Sequence, residues 1–386
     1  MPHGTLILLF WTGALLIGYT YLLYPLGIAL LARHRNRGQM DRQAFEGRFS
    51  IVLAVHNEEA LILRRIDELA QHLSKSSGMG ELLVVSDGST DATLSLAQQR
   101  ESPAIRVIAL APNAGKAAAI TRGCAAAAGD VLVFADARQH WHADALQRLL
   151  DRFSDPTVGA VTGELILESD KGILVGVGVY WRFEKWLRRN EALVHSTVGV
   201  SGAISAVRRQ FFLPIPPGTL LDDVYWPMCV VMQCHRVAYE ESAIAYDRLP
   251  LDAGGEFRRK VRTLSGNFQL VARLPQLLSP WHNPIWVQFV SHKLLRLVVP
   301  WALLATLVCS LLLHSGIYLY AACLQVTFYG AGLLGFMAGA KGKSRLLSTA
   351  ASFIVLNAAA GAGFLVWLSG NSGSSWKKSQ FLGDGR

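Results

Sequence analysis

The chain of 386 residues is 51% hydrophobic and carries a formal net charge of +9 at pH 7. Its mean hydropathy is positive, which is typical of a membrane protein. The basic residues lie beside apolar runs or between Arg182 and Arg296. Anionic lipids and phosphate-bearing substrates therefore explain the charge better than nucleic acid, which we exclude as a partner.

Apolar runs without a charged residue are the first predicted elements. They extend from Leu6 to Ala32, from Leu297 to Ala340 and from Leu346 to Leu368. A membrane-spanning helix needs roughly 20 apolar residues, and the middle run is long enough for two helices that break near His314. We therefore predict about four membrane helices. The first is predicted to be a retained anchor, because no small-residue cleavage site follows it.

Basic residues at the ends of these runs indicate the orientation of the chain. Two clusters lie after the first run and between the last two, and their members are Arg33, Arg35, Arg37, Lys341, Lys343 and Arg345. The positive-inside rule places both clusters, and the region up to about Arg296, in the cytoplasm. We therefore predict an integral membrane protein of a bacterial-type inner or plasma membrane. The side of the membrane on which the C-terminal tail lies stays open. Counting the spans places the tail outside, whereas its basic residues Lys377 and Lys378 favour the cytoplasm.

Between the first two apolar runs, short β-branched segments alternate with segments of helical spacing. SIVLAV, ELLVVS, IRVIAL and DVLVFAD are typical of strands. The alternation predicts an α/β fold with a doubly wound, mostly parallel sheet that is covered on both faces. Ligands of such sheets bind beyond the carboxyl ends of the strands, and Glu58, Asp87 and Asp136 each follow such an end. From Trp181 onward we expect mainly helices up to the membrane.

Two loops after these strands suit a nucleotide diphosphate. Residues 87–91, DGSTD, place a carboxylate where it can accept the N–H of a pyrimidine base, with backbone N–H groups near a phosphate. An ordinary strand-to-helix turn explains this segment equally well. Residues 113–116, NAGK, add a glycine that lets the backbone come close to a phosphate and a lysine that supplies positive charge. The chain contains neither a G-x-G-x-x-G pattern nor a P-loop pattern, so dinucleotide and P-loop sites lose their main support.

The order of the motifs is more specific than any one of them. HNEE, SDGSTD, NAGKAAAITRG, FAD and a later Asp-Asp pair follow one another, and in this order the chain resembles glycosyltransferase family 2 from about Ser50 to Arg262. With its flanking apolar runs it is similar to the membrane-bound synthases of that family, the relatives of cellulose, hyaluronan and poly-N-acetylglucosamine synthases. The resemblance implies a sheet of the glycosyltransferase-A type and inverting transfer from a nucleotide sugar, with a UDP-sugar as the expected donor.

The resemblance also implies a nucleotide-sugar site. Glu58 and Asp87 would hold the base and ribose, and Lys116 would lie near the nucleotide. Asp136 would be the first acid of an Asp-x-Asp motif that binds Mg²⁺ or Mn²⁺ together with the diphosphate. Arg138 stands at the second acid of that motif.

Three explanations of Arg138 compete. Asp136 could hold the metal with diphosphate and water completing the shell, Arg138 could point away, or its guanidinium could partly replace the metal. We favour the first, because one carboxylate with substrate phosphates is a normal magnesium arrangement. His140 and His142 are an alternative metal site, although such residues more often lie at the surface or in packing contacts.

A second acidic motif is the candidate catalytic centre. Asp222-Asp223 matches the Glu-Asp pair of the family, which precedes a helix, and makes Asp223 the candidate general base. Inversion needs one carboxylate to take the proton of the acceptor hydroxyl, and two adjacent acids can raise one another's pKa. Without the upstream motifs, Asp222 would be interpreted as a helix cap and Asp223 as a solvated acid.

Two further segments correspond to substrate-binding parts of the family. Residues 258–262, RRKVR, lie where the polymer synthases have Gln-x-x-Arg-Trp, so Arg262 would bind the diphosphate and Arg259 would replace the glutamine. Thr263 replaces the tryptophan, which weakens a prediction of processive synthesis. A basic helix that only touches lipid phosphates is the alternative. The acceptor-side segment of the family corresponds to Ser201, Gly202 and Ala203.

The prediction is a membrane-bound inverting glycosyltransferase whose acceptor is a lipid-linked or growing glycan. The predicted parts are an anchor helix at 1–32, a cytoplasmic nucleotide-sugar domain at 48–270, interfacial helices at 271–295, transmembrane helices at 296–370 and a tail at 371–386. Membrane lipids are expected partners, and self-association or other polysaccharide-assembly proteins are left open. The alternative is a catalytically degenerate, nucleotide-binding scaffold of a polysaccharide assembly system.

Overall fold

The computed structural model describes residues 3–35, 43–168, 175–248, 253–338 and 344–370. The strands are β1 (Arg48–Val55), β2 (Met79–Asp87), β3 (Ile105–Leu110), β4 (Val131–Ala135), β5 (His140–Trp141), β6 (Val158–Glu168), β7 (Ile204–Arg208) and β8 (Arg236–Arg248). The helices are α1 (His3–Gly18), α2 (Tyr24–His34), α3 (Ile62–Lys75), α4 (Thr93–Gln98), α5 (Lys116–Ala126), α6 (Ala145–Leu150), α7 (Val175–Val194), α8 (Asp222–Met232), α9 (Ala253–Arg273), α10 (Trp286–Phe289), α11 (Leu295–Leu313), α12 (Gly316–Ala338) and α13 (Arg345–Leu368). Two π-helical turns, Tyr19–Leu23 and Val290–Leu294, join α1 to α2 and α10 to α11.

The strands form an eight-stranded sheet in the order β3-β2-β1-β4-β7-β6-β8-β5. β1 to β4 pair in parallel, and β6 pairs in parallel with β8. When both faces of a sheet are covered, its strands consist of continuous apolar runs rather than alternating apolar and polar residues. The predicted α/β class and mostly parallel sheet are confirmed.

Successive residues of β1 enter two different hydrophobic cores. Ile51 and Leu53 pack in the core that contains Ile66 of α3. Val52 lies on the opposite face and packs in the core that contains Ile120 of α5. The helical segments between the predicted strands therefore cover both faces of the sheet. This arrangement leaves the strand ends as the open edge where polar side chains collect.

Helices predominate after Trp181, as expected, but the expectation missed two strands that lie among them. β7 pairs antiparallel with β4 and β6, and β8 runs parallel beside β6. Along β7, Ile204 packs in one core and Val207 in the other. This pattern has the two-residue period of a strand, and it is short enough to be missed between two basic, aromatic helices.

Within the residues that the structure describes, four helical segments are long and apolar enough to cross a membrane: His3–His34, Trp286–Leu313, Gly316–Met337 and Leu346–Leu368. Their number agrees with the predicted four. The predicted break is present, because His314 has a φ of 30° and ends α11 in the left-handed conformation. The segment that starts at Trp286 begins earlier than the expected Leu297. Three of the basic residues used to predict orientation lie outside the described residues, namely Arg37, Lys341 and Lys343.

Helix α9 lies between the sheet domain and the apolar helices. A Cβ atom on Gly266 would meet Leu221 Cγ at 2.7 Å, so the start of α8 packs closely on α9. A Cβ atom on Gly363 would lie 2.9 Å from the backbone nitrogen of Ser265, which brings α13 equally close. The ring of Phe268 also stacks on Trp367 with 5.6 Å between centroids. α9 therefore connects the acid pair at the start of α8 with an apolar helix.

Candidate active site

Asp136 lies directly after β4 and forms the centre of the site. Its Oδ1 accepts a hydrogen bond from Lys116 Nζ at 2.7 Å, and Lys116 is the first residue of α5. Gly202 closes the site from the side of β7, since a Cβ atom there would lie 3.4 Å from both Asp136 Oδ2 and Lys116 Nζ. The structure therefore brings together three residues whose roles the sequence predicts separately, namely the predicted metal ligand Asp136, the predicted nucleotide-side Lys116 and the predicted acceptor-side Gly202.

The acid pair reaches the same place from the first turn of α8. Asp222 Oδ2 lies 3.9 Å from Lys116 Nζ, so the lysine bridges Asp136 and Asp222. The backbone carbonyl of Asp223 accepts the N–H of Val200 at 2.8 Å. This bond ties the acid pair to the loop that carries Ser201 and Gly202.

Burial, together with the crowding of like charges, sets the protonation of the pair. Removal from water and the charge of Asp222 raise the pKa of Asp223 to about 6, against the opposing effect of Lys116. Removal from water also raises the pKa of Asp222, although Lys116 opposes the rise. For Lys116, burial lowers the pKa, but the charges of Asp136 and Asp222 outweigh it and the pKa is raised. At neutral pH the lysine is charged and Asp223 is mostly ionised, which suits a general base.

Asp87 is fully buried at the end of β2 and organises the NAGK loop. Its two carboxylate oxygens accept the backbone N–H groups of Ala114 and Gly115, each at 2.8 Å. Gly88 has a φ of 60°, and a Cβ atom there would meet the nitrogen of Asn113 at 2.5 Å, so only glycine fits this turn. Asp87 thus shapes the nucleotide side of the site, and its contact with the base or ribose stays a prediction.

Glu58 is held in the loop between β1 and α3. Its backbone N–H donates to Thr93 Oγ1 at 2.7 Å, and the adjacent Asn57 accepts the Thr90 N–H through Oδ1 at 2.8 Å. The HNEE and DGSTD motifs therefore contact each other across neighbouring strand ends. The role of Glu58 toward a nucleotide stays a prediction.

Arg262 lies on the exposed face of α9. Its charge is among those that lower the pKa of Asp222, so Arg262 lies within electrostatic reach of the acid pair. Arg259 is partly buried one turn earlier, and its carbonyl accepts a hydrogen bond from Thr263 Oγ1 at 3.0 Å. Thr263 is thus directed at its own helix, whereas the family has an aromatic ring at this position.

The acceptor-side segment is fixed by its backbone. The N–H of Ser201 donates to Thr162 Oγ1 at 2.8 Å, and the carbonyl of Ala203 accepts Trp141 Nε1–H at 2.9 Å. These bonds hold Gly202 between β6 and β5 with its Cα toward Asp136. A Cβ atom at this position would be in van der Waals contact with Asp136 and Lys116, so glycine leaves the space beside them clear.

Arg138 does not share the surroundings of Asp136. Its guanidinium forms a two-pronged ion pair with Asp247 of β8, Nε to Oδ1 at 2.9 Å and Nη2 to Oδ2 at 2.7 Å. Gln139 adds a third bond to the same carboxylate at 2.8 Å. Of the three explanations, this geometry agrees with an arginine that points away. Its bidentate contact locks the segment after β4 to the far edge of the sheet.

The alternative metal site at His140 and His142 has no further ligands. His140 stacks on Tyr246 with 5.0 Å between ring centroids, and His142 Nδ1 accepts the N–H of Asp144 at 3.5 Å. Among the described residues, no three His, Cys, Asp or Glu side chains form a group that could hold a metal ion. A metal at Asp136 would therefore depend on ligands from the substrate.

Sequence reasoning missed a buried polar network that joins α7 to the apolar segment Trp286–Leu313. Glu184 of α7 bonds to Arg296 and, through Oε2, to His292 Nε2 at 3.0 Å. Glu191, about two helical turns further along α7, contacts His292 Nδ1 at 2.8 Å and accepts the Tyr24 hydroxyl at 2.5 Å. The two acids lie seven positions apart on one helix, a spacing that places them on one face. That periodicity is the signal that could have revealed the network.

Comparison with known proteins identifies the class of this fold. A mannosyltransferase of Pyrobaculum calidifontis, solved with GDP-Man and Mn²⁺, superposes with a TM-score of 0.69 at 21% identity, over 93% of this chain and 99% of that one. The likeness shows a glycosyltransferase-A fold. Residues 50–213 match the family described as Glycosyl transferase family 2. They are therefore a glycosyltransferase family 2 domain.

Curated relatives agree with this assignment. The poly-beta-1,6-N-acetyl-D-glucosamine synthase of Staphylococcus aureus is 24% identical over 231 residues, which cover 58% of this chain and 55% of the relative. The synthase of Staphylococcus epidermidis is 23% identical over 248 residues, which cover 60% and 57%. This chain therefore spans about half the length of the curated relatives that it matches.

Proposed function

We propose that the protein is an inverting glycosyltransferase that moves a sugar from a nucleotide diphosphate sugar to an acceptor at a membrane. The observation that carries the proposal is the acid pair at the start of α8, which meets Lys116 and Asp136 at the end of the parallel strands. The basic residues Arg33 and Arg35 after the first apolar helix favour a cytoplasmic position of the sheet.

Asp223 is the general base of the proposed reaction. It takes the proton of the acceptor hydroxyl while that oxygen attacks the anomeric carbon from the face opposite the diphosphate. The bond between the anomeric carbon and the diphosphate oxygen breaks, and its electron pair stays on the nucleotide. Lys116 and Arg262 neutralise the departing diphosphate. Asp222 raises the pKa of Asp223 and holds Lys116 in place.

Asp136 fits a divalent metal as a single carboxylate ligand. Its Oδ1 is bonded by Lys116, and its Oδ2 faces the space beside Gly202, where diphosphate oxygens and water would complete the shell. When bound, Mg²⁺ or Mn²⁺ supplies positive charge to the leaving diphosphate. Because Asp247 engages the guanidinium of Arg138, we assign the counter-charge to the metal, Lys116 and Arg262.

Single transfer to a lipid-linked acceptor is the form of the reaction that we favour. A polymerase needs a polar path through its apolar helices. Gln325 instead donates to the carbonyl of Leu303 at 2.8 Å, and Asn357 donates to the carbonyl of Phe353 at 2.9 Å. Together with Thr263 in place of an aromatic residue, these local bonds favour transfer to one acceptor over chain extension.

The donor and the metal can be tested together on the purified protein in lipid nanodiscs. Nucleotide release is measured with UDP- and GDP-sugars, with and without Mg²⁺ or Mn²⁺. We expect release with one donor, a UDP-sugar by the pyrimidine argument, and at least a hundredfold loss without metal. Equal release without metal would indicate that Arg138, rather than a metal ion, neutralises the charge of the leaving diphosphate. Donor binding without release, when acceptor lipids are present, would favour the nucleotide-binding scaffold.

The rate should depend on pH through Asp223. Because a base must be ionised and the pKa of Asp223 is about 6, kcat should be constant above pH 7 and fall about tenfold per pH unit below 6. In Asp222→Asn the inflection should move to lower pH, because a like charge is removed. Donor affinity measured over the same range is the control. An inflection that stays in place or moves upward in Asp222→Asn would contradict the assignment.

A further inference from the structure

Two positively charged side chains near the acid pair, those of Arg188 and Lys293, have no hydrogen-bond or ion-pair partner among the described residues. Arg188 lies on α7, and Lys293 lies in the π-helical turn at the start of the apolar segment Trp286–Leu313. Within the described part of the chain, neither side chain makes an ion pair or a hydrogen bond, and Arg188 Nε is buried without an acceptor. Leaving the buried Nε of Arg188 without an acceptor is costly, and a ligand would supply one.

Of the four carboxylate oxygens of Glu184 and Glu191, only Glu191 Oε2 has no hydrogen-bond partner among the described residues. Both oxygens of Glu184 are used, one by Arg296 and the other by His292. Glu191 Oε1 is used by Tyr24 and His292. These bonds neutralise Arg296 and leave the charges of Arg188 and Lys293 uncompensated at hydrogen-bonding distance.

The two cations act electrostatically on the candidate base. Asp222 feels mainly Lys116, Asp136 and Arg262. Asp223 feels Lys293 and Arg188 in addition to Lys116. Asp223 therefore lies within electrostatic reach of Lys116 and of a second positive region, which is formed by Arg188 and Lys293.

An apolar cavity adjoins the second region. Leu294, the neighbour of Lys293, lines a cavity of about 430 Å³ together with Leu297, Phe268 and Trp301. A phosphate held by Lys293 could therefore carry an apolar chain that stays among the helices. Inorganic phosphate could bind to the two cations, but it has no apolar chain that would fill this cavity.

We propose that Arg188 and Lys293 bind the phosphate group of a lipid-linked acceptor, so that a hydroxyl of the group carried by that phosphate reaches Asp223. The inference rests on the proposed function and names its acceptor class, a phosphate-bearing membrane lipid. Arginine supplies a planar fork and lysine a point charge, a combination that suits phosphate oxygens.

The test uses the full chain in nanodiscs of phosphatidylcholine. Farnesyl phosphate and uncharged farnesol are the probes, and binding is followed by a change in tryptophan fluorescence. We expect farnesyl phosphate to bind at least about tenfold more tightly than farnesol. Arg188→Gln and Lys293→Gln should each remove about tenfold of that affinity, and Arg188→Lys should retain most of it. Arg189→Gln is the control. Arg189 is the residue next to Arg188 and forms an exposed ion pair with Glu241, so its replacement should leave the affinity for farnesyl phosphate unchanged.

Other outcomes would overturn the proposal. Equal binding of the phosphate and the alcohol, or no loss in the two glutamine variants, would exclude an anion site. Equal competition by inorganic phosphate would show that the lipid chain does not matter, and loss of binding in phosphatidylglycerol nanodiscs would assign the site to bulk headgroups. Calorimetric binding of the donor separates the two claims. If farnesyl phosphate binds and no nucleotide sugar does, the proposed function fails and the anion site stands.

Discussion

Replacing Asp223 by asparagine should lower kcat by about 10³-fold with little change in donor affinity. A general base contributes roughly 10²- to 10⁴-fold to a rate, and asparagine keeps the size of the side chain while it cannot accept the hydroxyl proton. Donor binding should persist, because Lys116 and Asp136 are intact. Nucleotide release at saturating donor measures the rate, and calorimetry measures the affinity.

Asp130→Asn is the matched control for this experiment. Asp130 is an exposed acid whose side chain pairs only loosely with Arg48 at 3.5 Å, so its loss should leave kcat unchanged. A rate in Asp223→Asn within tenfold of the wild type would remove Asp223 as the base. Equal loss of donor affinity and rate would instead assign Asp223 to binding.

The largest effect on stability is expected for Glu184→Leu. This change removes the partner of both Arg296 and His292 and leaves a buried guanidinium without its carboxylate. Breaking a buried ion pair from one side costs about 3–5 kcal/mol, so Tm should fall by about 10 °C. The pKa of Glu184 is held well below its usual range: burial opposes this, but the positive charge of Arg296 outweighs it. The loss should therefore be full at neutral pH.

Thermal unfolding in nanodiscs measures this effect. Glu241→Leu is the control, since Glu241 forms a similar ion pair with Arg189 that is about half exposed on both sides. Exposed pairs contribute about 1 kcal/mol or less, so its Tm should change by no more than about 3 °C. Equal shifts in the two variants would show that the network does not hold α7 to the apolar helices.

The sequence predicts the strand-end residues well because their positions are local. Asp87 and Asp136 each end a short buried strand, and parallel strands place their carboxyl ends at one edge. The acid pair begins helix α8, whereas its motif implies a position just before a helix. The four apolar helices follow from length and composition alone.

The partners of these residues could not be predicted, because they come from distant parts of the chain. Arg138 and Asp247 are separated by 109 positions, and their pairing depends on β5 lying beside β8. His292 and Glu184 are separated by 108 positions and meet only when the apolar helix packs on α7. A single sequence records neither packing event, so the direction of Arg138 stays open until the sheet is known.

The most direct test of the proposed reaction is transfer of labelled sugar in nanodiscs that contain bacterial membrane lipids. With the donor found by nucleotide release and with Mg²⁺ or Mn²⁺, we expect label to enter the organic-extractable fraction in proportion to the nucleotide released. Asp223→Asn should reduce both by about 10³-fold. Label that stays in water while nucleotide is released, or transfer that is equal in Asp223→Asn, would contradict a membrane glycosyltransferase that uses this acid pair.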